Sequence, residues 1–135
     1  MFKVFDRPAL VRDSFRVIEY DGVQYGYSFK FNTTDTRGAY LSLFYDFTVK
    51  LDGKDVDPYD MTIIVDGREY TVARMPELTE TVIDLGKEAE IKVRDYSDLS
   101  GKHTLTLSYK SKLSFIFVAG HNVYSPMVDE MEVEV

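Results

Sequence analysis

The sequence predicts an all-β protein: a single-domain antiparallel β-sandwich or jelly roll of eight or nine strands over residues 1–135. Three observations predict it. Apolar residues recur with period two, the repeat of a strand with one buried face. Asp-Gly pairs stand between the β-like runs and supply the positive φ of tight hairpin turns. No segment carries a sustained apolar stripe at i, i+3, i+4 and i+7.

Taken in chain order, Phe15–Tyr20 is a short first run, closed by Asp21-Gly22. Val23, Tyr25, Tyr27, Phe29 and Phe31 then alternate with Gln24, Gly26, Ser28, Lys30 and Asn32, which predicts one dry and one wet face. Leu41, Leu43, Tyr45, Phe47, Val49 and Leu51 repeat the alternation up to Asp52-Gly53. Met61–Val65 and Glu69–Ala73 flank Asp66-Gly67, the clearest two-residue hairpin. Met75–Glu80 predicts a single helical turn with Pro76 near its start. Runs at Thr81–Leu85 and Ala89–Arg94 follow, and Ser100-Gly101-Lys102 reads as a further turn. The strand after it sets Leu105, Leu107, Tyr109, Leu113, Phe115 and Phe117 against polar neighbours, and Ser111 interrupts the apolar row, which predicts a bend or bulge. Phe115-Ile116-Phe117-Val118 is apolar on both faces, so its second face needs a cover, and another chain is one candidate. Residues 119–124 read as irregular, and Met131, Val133 and Val135 alternate with Glu130, Glu132 and Glu134 in a last strand. Those three glutamates repel on one face, and Lys110 and Lys112 on a neighbouring strand are candidates to offset them.

Composition narrows the function. The chain has 135 residues, near the usual size of one domain, and buries roughly two-thirds of its unfolded surface without a disulfide or structural metal. A net charge of -7 argues against nucleic acid and anionic membrane surfaces as partners. The absence of cysteine removes thiol nucleophiles and thiolate metal sites and fits a cytoplasmic location. Residues 1–8 are charged and interrupted by Pro8, unlike a signal-peptide core, and no apolar run approaches the roughly 20 residues of a membrane helix. Ten Tyr and nine Phe with no Trp suit a half-wet binding surface, although strands favour aromatics in any case.

Catalytic constellations are sparse. The two histidines, His103 and His121, occur in no His-x-His, HExxH or His-x-x-x-Asp spacing. His103 opens a strand after a turn and reads as a surface histidine. The carboxylates sit mainly in turns and on wet faces, so turn chemistry and solubility account for them better than paired acid–base work. There is no GxSxG, P-loop or GxGxxG, and Asn32-Thr33-Thr34, without a secretion signal, is no glycosylation site. No catalytic, cofactor or metal site is assigned to this chain.

The order of motifs carries a resemblance. Arg37-Gly38-Ala39-Tyr40-Leu41-Ser42 is followed by Val49-x-Leu51-Asp52-Gly53-x-x-Val56 and Val65-Asp66-Gly67-x-x-Tyr70-Thr71. Then come Leu85-Gly86-Lys87-Glu88-Ala89-x-Ile91-x-Val93, Leu99-Ser100-Gly101-Lys102-His103-Thr104-Leu105 and Leu113-Ser114-Phe115. Over residues 10–135 this resembles the small β subunit of bacterial C-glycoside deglycosidases. The resemblance implies a β-sandwich paired with a larger TIM-barrel α subunit that holds a divalent metal, manganese or magnesium. It implies that the hetero-oligomer cleaves the carbon–carbon bond between a 3-oxo sugar and a flavonoid or isoflavonoid aglycone. Catalysis would belong to the partner, since that reaction needs a metal cage and a poised base. This chain would hold the barrel's loops and close part of the aglycone pocket, with Arg37, Tyr40, Phe115, Phe117, His121 and Tyr124 as candidate rim or interface residues. Relatives are Tyr- and Pro-rich after the Ser-aromatic pair, whereas this chain continues Ile116-Phe117-Val118-Ala119-Gly120-His121. The competing readings are a stand-alone carbohydrate-binding module, weakened by the lack of Trp, and a self-sufficient carboxylate enzyme.

Overall fold

The computed structural model describes residues 9–33, 39–84, 87–118 and 121–135, and for 111–118 and 121–126 it describes the backbone alone. Its strands are β1 (Arg16–Tyr20), β2 (Val23–Asn32), β3 (Ala39–Tyr40), β4 (Phe44–Leu51), β5 (Lys54–Asp55), β6 (Met61–Val65), β7 (Arg68–Thr71), β8 (Val82–Ile83), β9 (Glu88–Arg94), β10 (Lys102–Val118) and β11 (His121–Glu134). They form a five-stranded sheet in the order β1-β2-β9-β6-β7, a four-stranded sheet in the order β11-β10-β4-β5, and the small pair β3-β8. This is the predicted all-β sandwich. Its strand number exceeds the expected eight or nine because β3, β5 and β8 are two residues each, too short to show a period.

The three Asp-Gly pairs act as predicted. Asp21-Gly22, Asp52-Gly53 and Asp66-Gly67 all have positive φ at both residues, the requirement of a type I′ turn, and join β1 to β2, β4 to β5 and β6 to β7.

Core rungs follow from the alternation. Tyr27, Val93 and Met61 lie side by side across β2, β9 and β6, and Phe29, Ile91 and Ile63 form the next rung. All six are buried. Facing them on the other sheet are Val49, Leu105, Leu107, Met127 and Met131. Phe31 of the first sheet meets Phe44, Phe47 and Tyr109 of the second with centroids 5.8–6.5 Å apart, while Phe44 and Tyr109 meet edge to face at 4.7 Å. Such ring pairs each stabilise by roughly 0.5–1.5 kcal/mol beyond the area they bury.

Departures from the predicted pattern have local causes. Ser108 pairs with Thr48 but Lys110 pairs with Tyr45, so Asp46 and Phe47 together oppose Tyr109, and Asp46 has a φ of 54°. This β-bulge shifts the phase of β4 by one. Phe44 therefore turns inward and Tyr45 outward, the reverse of the predicted alternation. Leu41–Leu43 is a 3₁₀ turn, not strand. After a 3₁₀ turn at Pro58–Asp60, a third spans Val72–Glu77, earlier than predicted, because it buries Val72 and Met75 at the i, i+3 spacing that eclipses in this helix type. Val23 and Tyr25 are exposed: β9 ends at Arg94, opposite Gly26, so beyond that point β1 is the strand beside β2 and the 95–97 loop, whose Asp95 N–H donates to the Tyr25 carbonyl, replaces β9.

The β10–β11 hairpin departs furthest. Of the segment predicted to be irregular, His121–Tyr124 is strand, since β11 begins at His121, and residues 119–120 lie outside the described residues. Pro126 is tolerated there because β11 is the outermost strand of its sheet. The β4 strand pairs with β10 only between Leu105 and Ser111. From Lys112 outward, β10 pairs with β11 alone among the described residues, and the register slips between Leu113 and Phe117. Opposite the three glutamates of β11 stand Thr106, Thr104 and Lys102, whereas Lys110 reaches Asp46 at 3.4 Å rather than offsetting them.

A strap across the sandwich edge completes the fold. Asn32 N–H donates to Ala9 C=O and Val11 N–H to Lys30 C=O, placing residues 9–11 beside β2. From the opposite sheet Asp129 accepts the Leu10 N–H at 2.8 Å and pairs with Arg12 at 3.1 Å.

Candidate functional site

A cleft of about 510 Å³ lies at one end of the sandwich. The β4–β5 hairpin, the turn at 57–60, the end of β9, the loop at 95–99 and the start of β10 enclose it, and Tyr27 of β2 lines it from the core side.

Hairpin geometry positions its central pair. The I′ turn holds Asp52 so that its carboxylate accepts the Thr104 N–H at 2.9 Å and meets His103 Nδ1 at 2.7 Å. The other ring nitrogen, Nε2, lies 2.9 Å from the Leu99 carbonyl oxygen. Both partners are acceptors, so both bonds form together only when the ring carries two protons. The Asp52 bond accordingly raises the His103 pKa above its usual value, and the same bond lowers that of Asp52. With its side chain only 12% exposed, His103 is held between two acceptors, not the loose surface histidine that its position after a turn predicts.

Six aspartates surround the cleft: Asp52, Asp55, Asp57, Asp60, Asp95 and Asp98. Local sequence explains several of them. Asp57, Asp95 and Asp98 each accept the backbone N–H two residues on, from Tyr59, Ser97 and Ser100, and so cap turns. The Ser100 N–H bond lowers the Asp98 pKa. Asp60 takes Arg94 at 2.6 Å. Gln24 anchors the 95–99 loop by donating to the Asp95 and Ser97 carbonyls. Burial raises the Tyr27 pKa, with Asp95 and Asp52 adding to the rise, and the Tyr27 hydroxyl has no hydrogen-bond partner among the described residues.

At the lip of the cleft, Tyr96, which stands between the lining residues Asp95 and Ser97, touches Tyr25 with centroids 6.2 Å apart, and Tyr25 touches Tyr20 at 6.3 Å. Among the described residues no cluster of three or more His, Asp or Glu is arranged to hold a metal ion.

The sequence-predicted rim residues lie elsewhere. Tyr40 is half-exposed on β3, opposite Val82, and does not line the cleft. Phe115, Phe117, His121 and Tyr124 share the β10–β11 arm by backbone register, with Phe117 opposite Asn122, Val118 opposite His121 and Lys112 opposite Tyr124. Their side chains lie outside the described residues, as does Arg37 altogether. Sequence reasoning missed the cleft because Asp52-Gly53 and Ser100-Gly101-Lys102-His103 were legible only as turns. The available signal was the density of aspartate at 52–60 and 95–98.

Fold and site thus define a β-sandwich with an acidic cleft at one end and a two-stranded arm. A family model described as C-glycoside deglycosidase beta subunit matches residues 5–115, and the chain belongs to that family. It is a subunit of a heteromeric enzyme complex, as the motif order predicted. No curated protein matches the sequence. Among the described residues no helix is long and apolar enough to cross a membrane.

Proposed function

We propose that this chain is the non-catalytic subunit of a cytoplasmic C-glycoside deglycosidase and works by inserting its β10–β11 arm into a larger catalytic subunit. The observation that carries this reading is the arm itself. From Lys112 to Val118 and His121 to Tyr124, two strands pair only with each other among the described residues. An isolated two-stranded ribbon is at best marginally stable in water. The arm's sequence is nevertheless apolar at successive positions, Phe115-Ile116-Phe117-Val118, which asks for cover on both faces. Arg37, Tyr40, Phe115, Phe117, His121 and Tyr124 are the proposed interface and pocket-rim residues.

The partner in this reading is a TIM-barrel α subunit holding manganese or magnesium. The reaction is a lyase cleavage of the bond between a 3-oxo sugar and a flavonoid or isoflavonoid aglycone. The ketone acidifies the neighbouring C–H, a base removes that proton, and the aglycone leaves with the bonding electrons and is protonated.

Co-expression with a C-glycoside deglycosidase α subunit tests the proposal. A stable heteromer that cleaves a 3-oxo C-glucoside is the expected result, with association lost when residues 112–124 are replaced by Asn-Gly. Cleavage by the isolated chain, or failure of the two chains to associate, would overturn it. A monomer that binds glycans unaided would favour a carbohydrate-binding module instead.

A further inference from the structure

The acidic cleft is not part of the arm, and the proposed function leaves it without a role. We infer that the cleft and its tyrosine lip form a second docking surface, which receives a basic, arginine-bearing segment of the catalytic subunit. The inference rests on the reading of this chain as a subunit with such a partner.

Charge supplies the first reason. Six carboxylates face Lys54, Arg94 and His103. Two of those cations are already committed, Arg94 to Asp60 and His103 to Asp52. Asp57, Asp95 and Asp98 have no ion-pair partner within 4 Å among the described residues. Their turn bonds satisfy one oxygen each, and even with Lys50 paired to Asp55 from outside the lining the carboxylates outnumber the cations. An excess of one sign in a cleft focuses the field and draws the opposite charge.

The second reason is Tyr27. Its side chain is fully buried, it lines this cleft, and its hydroxyl has no hydrogen-bond partner among the described residues. A buried hydroxyl without a partner is costly. A guanidinium brings five N–H donors in a planar fork, enough to serve this oxygen and a nearby carboxylate together.

The lip favours a protein over a glycan. Tyr96 is 65% exposed, Tyr25 44% and Tyr20 69%, and the three form a continuous row. Their planes are inclined at 76° and 47° to one another, so they offer no flat ledge for a run of sugar rings. Tilted tyrosine faces beside carboxylates suit arginine, which combines cation–π stacking with bidentate hydrogen bonding. Tyr and Arg are also the residues that dominate interface energetics.

The test is a triple variant, Asp57→Asn, Asp95→Asn and Asp98→Asn, in the full chain with the α subunit. Asparagine keeps an oxygen to accept each turn bond, so the charge changes while the loops stay. The Kd for the α subunit should rise roughly tenfold or more, and its dependence on salt should flatten. Tyr27→Phe should also weaken binding, with the salt dependence unchanged. A triple variant that binds with unaltered Kd and salt slope would overturn the inference while the arm-mediated assembly stands. Failure of the unaltered chain to bind the α subunit would overturn both readings. Saccharide titrations that shift the NMR signals of Tyr25 and Tyr96 in the isolated chain would replace this docking surface with a glycan site.

Discussion

His103 on β10 and Asp52 in the β4–β5 turn meet at 2.7 Å, and the second ring nitrogen of His103 holds the Leu99 carbonyl. The pair joins a hairpin to the loop at 95–99, so its protonation state enters the stability of the cleft. His103 has a raised pKa in the folded state. Its contribution is therefore full below its unfolded pKa, near the usual 6.5, and is lost as pH rises through the folded value. Asp52 has a lowered pKa, so its contribution is present above the unfolded value and is lost as pH falls through the folded one. Thermal unfolding between pH 6 and 9 should show a decline that His103→Gln flattens. A decline of equal size in the variant would show that the pair does not set it.

Gly26 is predicted to be irreplaceable. A Cβ at this position would run into the backbone carbonyl oxygen of Val93 and lie within 2.8 Å of Asp95 N. Both are backbone atoms of the end of β9 and the loop after it, so no side chain can swing aside. Gly26→Ala should cost about 3 kcal/mol or more, read as a lowered urea midpoint and poor soluble yield. Gly22→Ala is the control for crowding: the added Cβ there meets nothing within 4 Å, so only the cost of its positive φ remains.

How much of this was legible in the sequence depends on the kind of signal. Tyr27, Phe29 and Phe31 announce a buried strand face because period two survives wherever neighbouring strands lie on both sides. Each Asp-Gly pair announces its hairpin because few residues adopt φ near +55° followed by a glycine without strain. Asp46 carries the same positive φ with no glycine after it, and the bulge it makes was invisible. The cleft was hidden for a different reason. Asp52 and His103 are 51 residues apart, and only the pairing of β4 with β10 brings them together. The arm was half legible: its two apolar faces stood out, but its second strand lacks a clean alternation and contains Pro126.

Asp46 gives a direct measure of what the bulge costs. Its φ of 54° is tolerable for aspartate and severe for a β-branched residue. Asp46→Val should destabilise by about 1–2 kcal/mol. The loss of its exposed pair with Lys110 adds little to this. Asp46→Gly should be neutral or slightly stabilising, since glycine accepts the same φ. Chemical denaturation of the two variants, compared at matched slope, separates backbone strain from lost charge. Equal losses in both would mean that the ion pair, not the bulge, governs the site.

Tyr27 makes the opposite kind of prediction, in which removing a polar group helps the isolated fold. The ring is core, stacked on Phe15 with centroids 5.1 Å apart and placed in the rung with Val93 and Met61. Its hydroxyl is buried without a partner among the described residues. Tyr27→Phe keeps the ring contacts and deletes the unsatisfied group, so the isolated chain should gain about 1 kcal/mol, a rise of roughly 4 °C in Tm for a domain of this size. A native residue that lowers the stability of its own fold is the pattern of a group kept for a contact outside that fold. Calorimetry of the two proteins without a partner decides the matter. A loss of stability in the phenylalanine variant would show that the hydroxyl is already satisfied within the chain, and the case for its meeting a partner's arginine would fall with it.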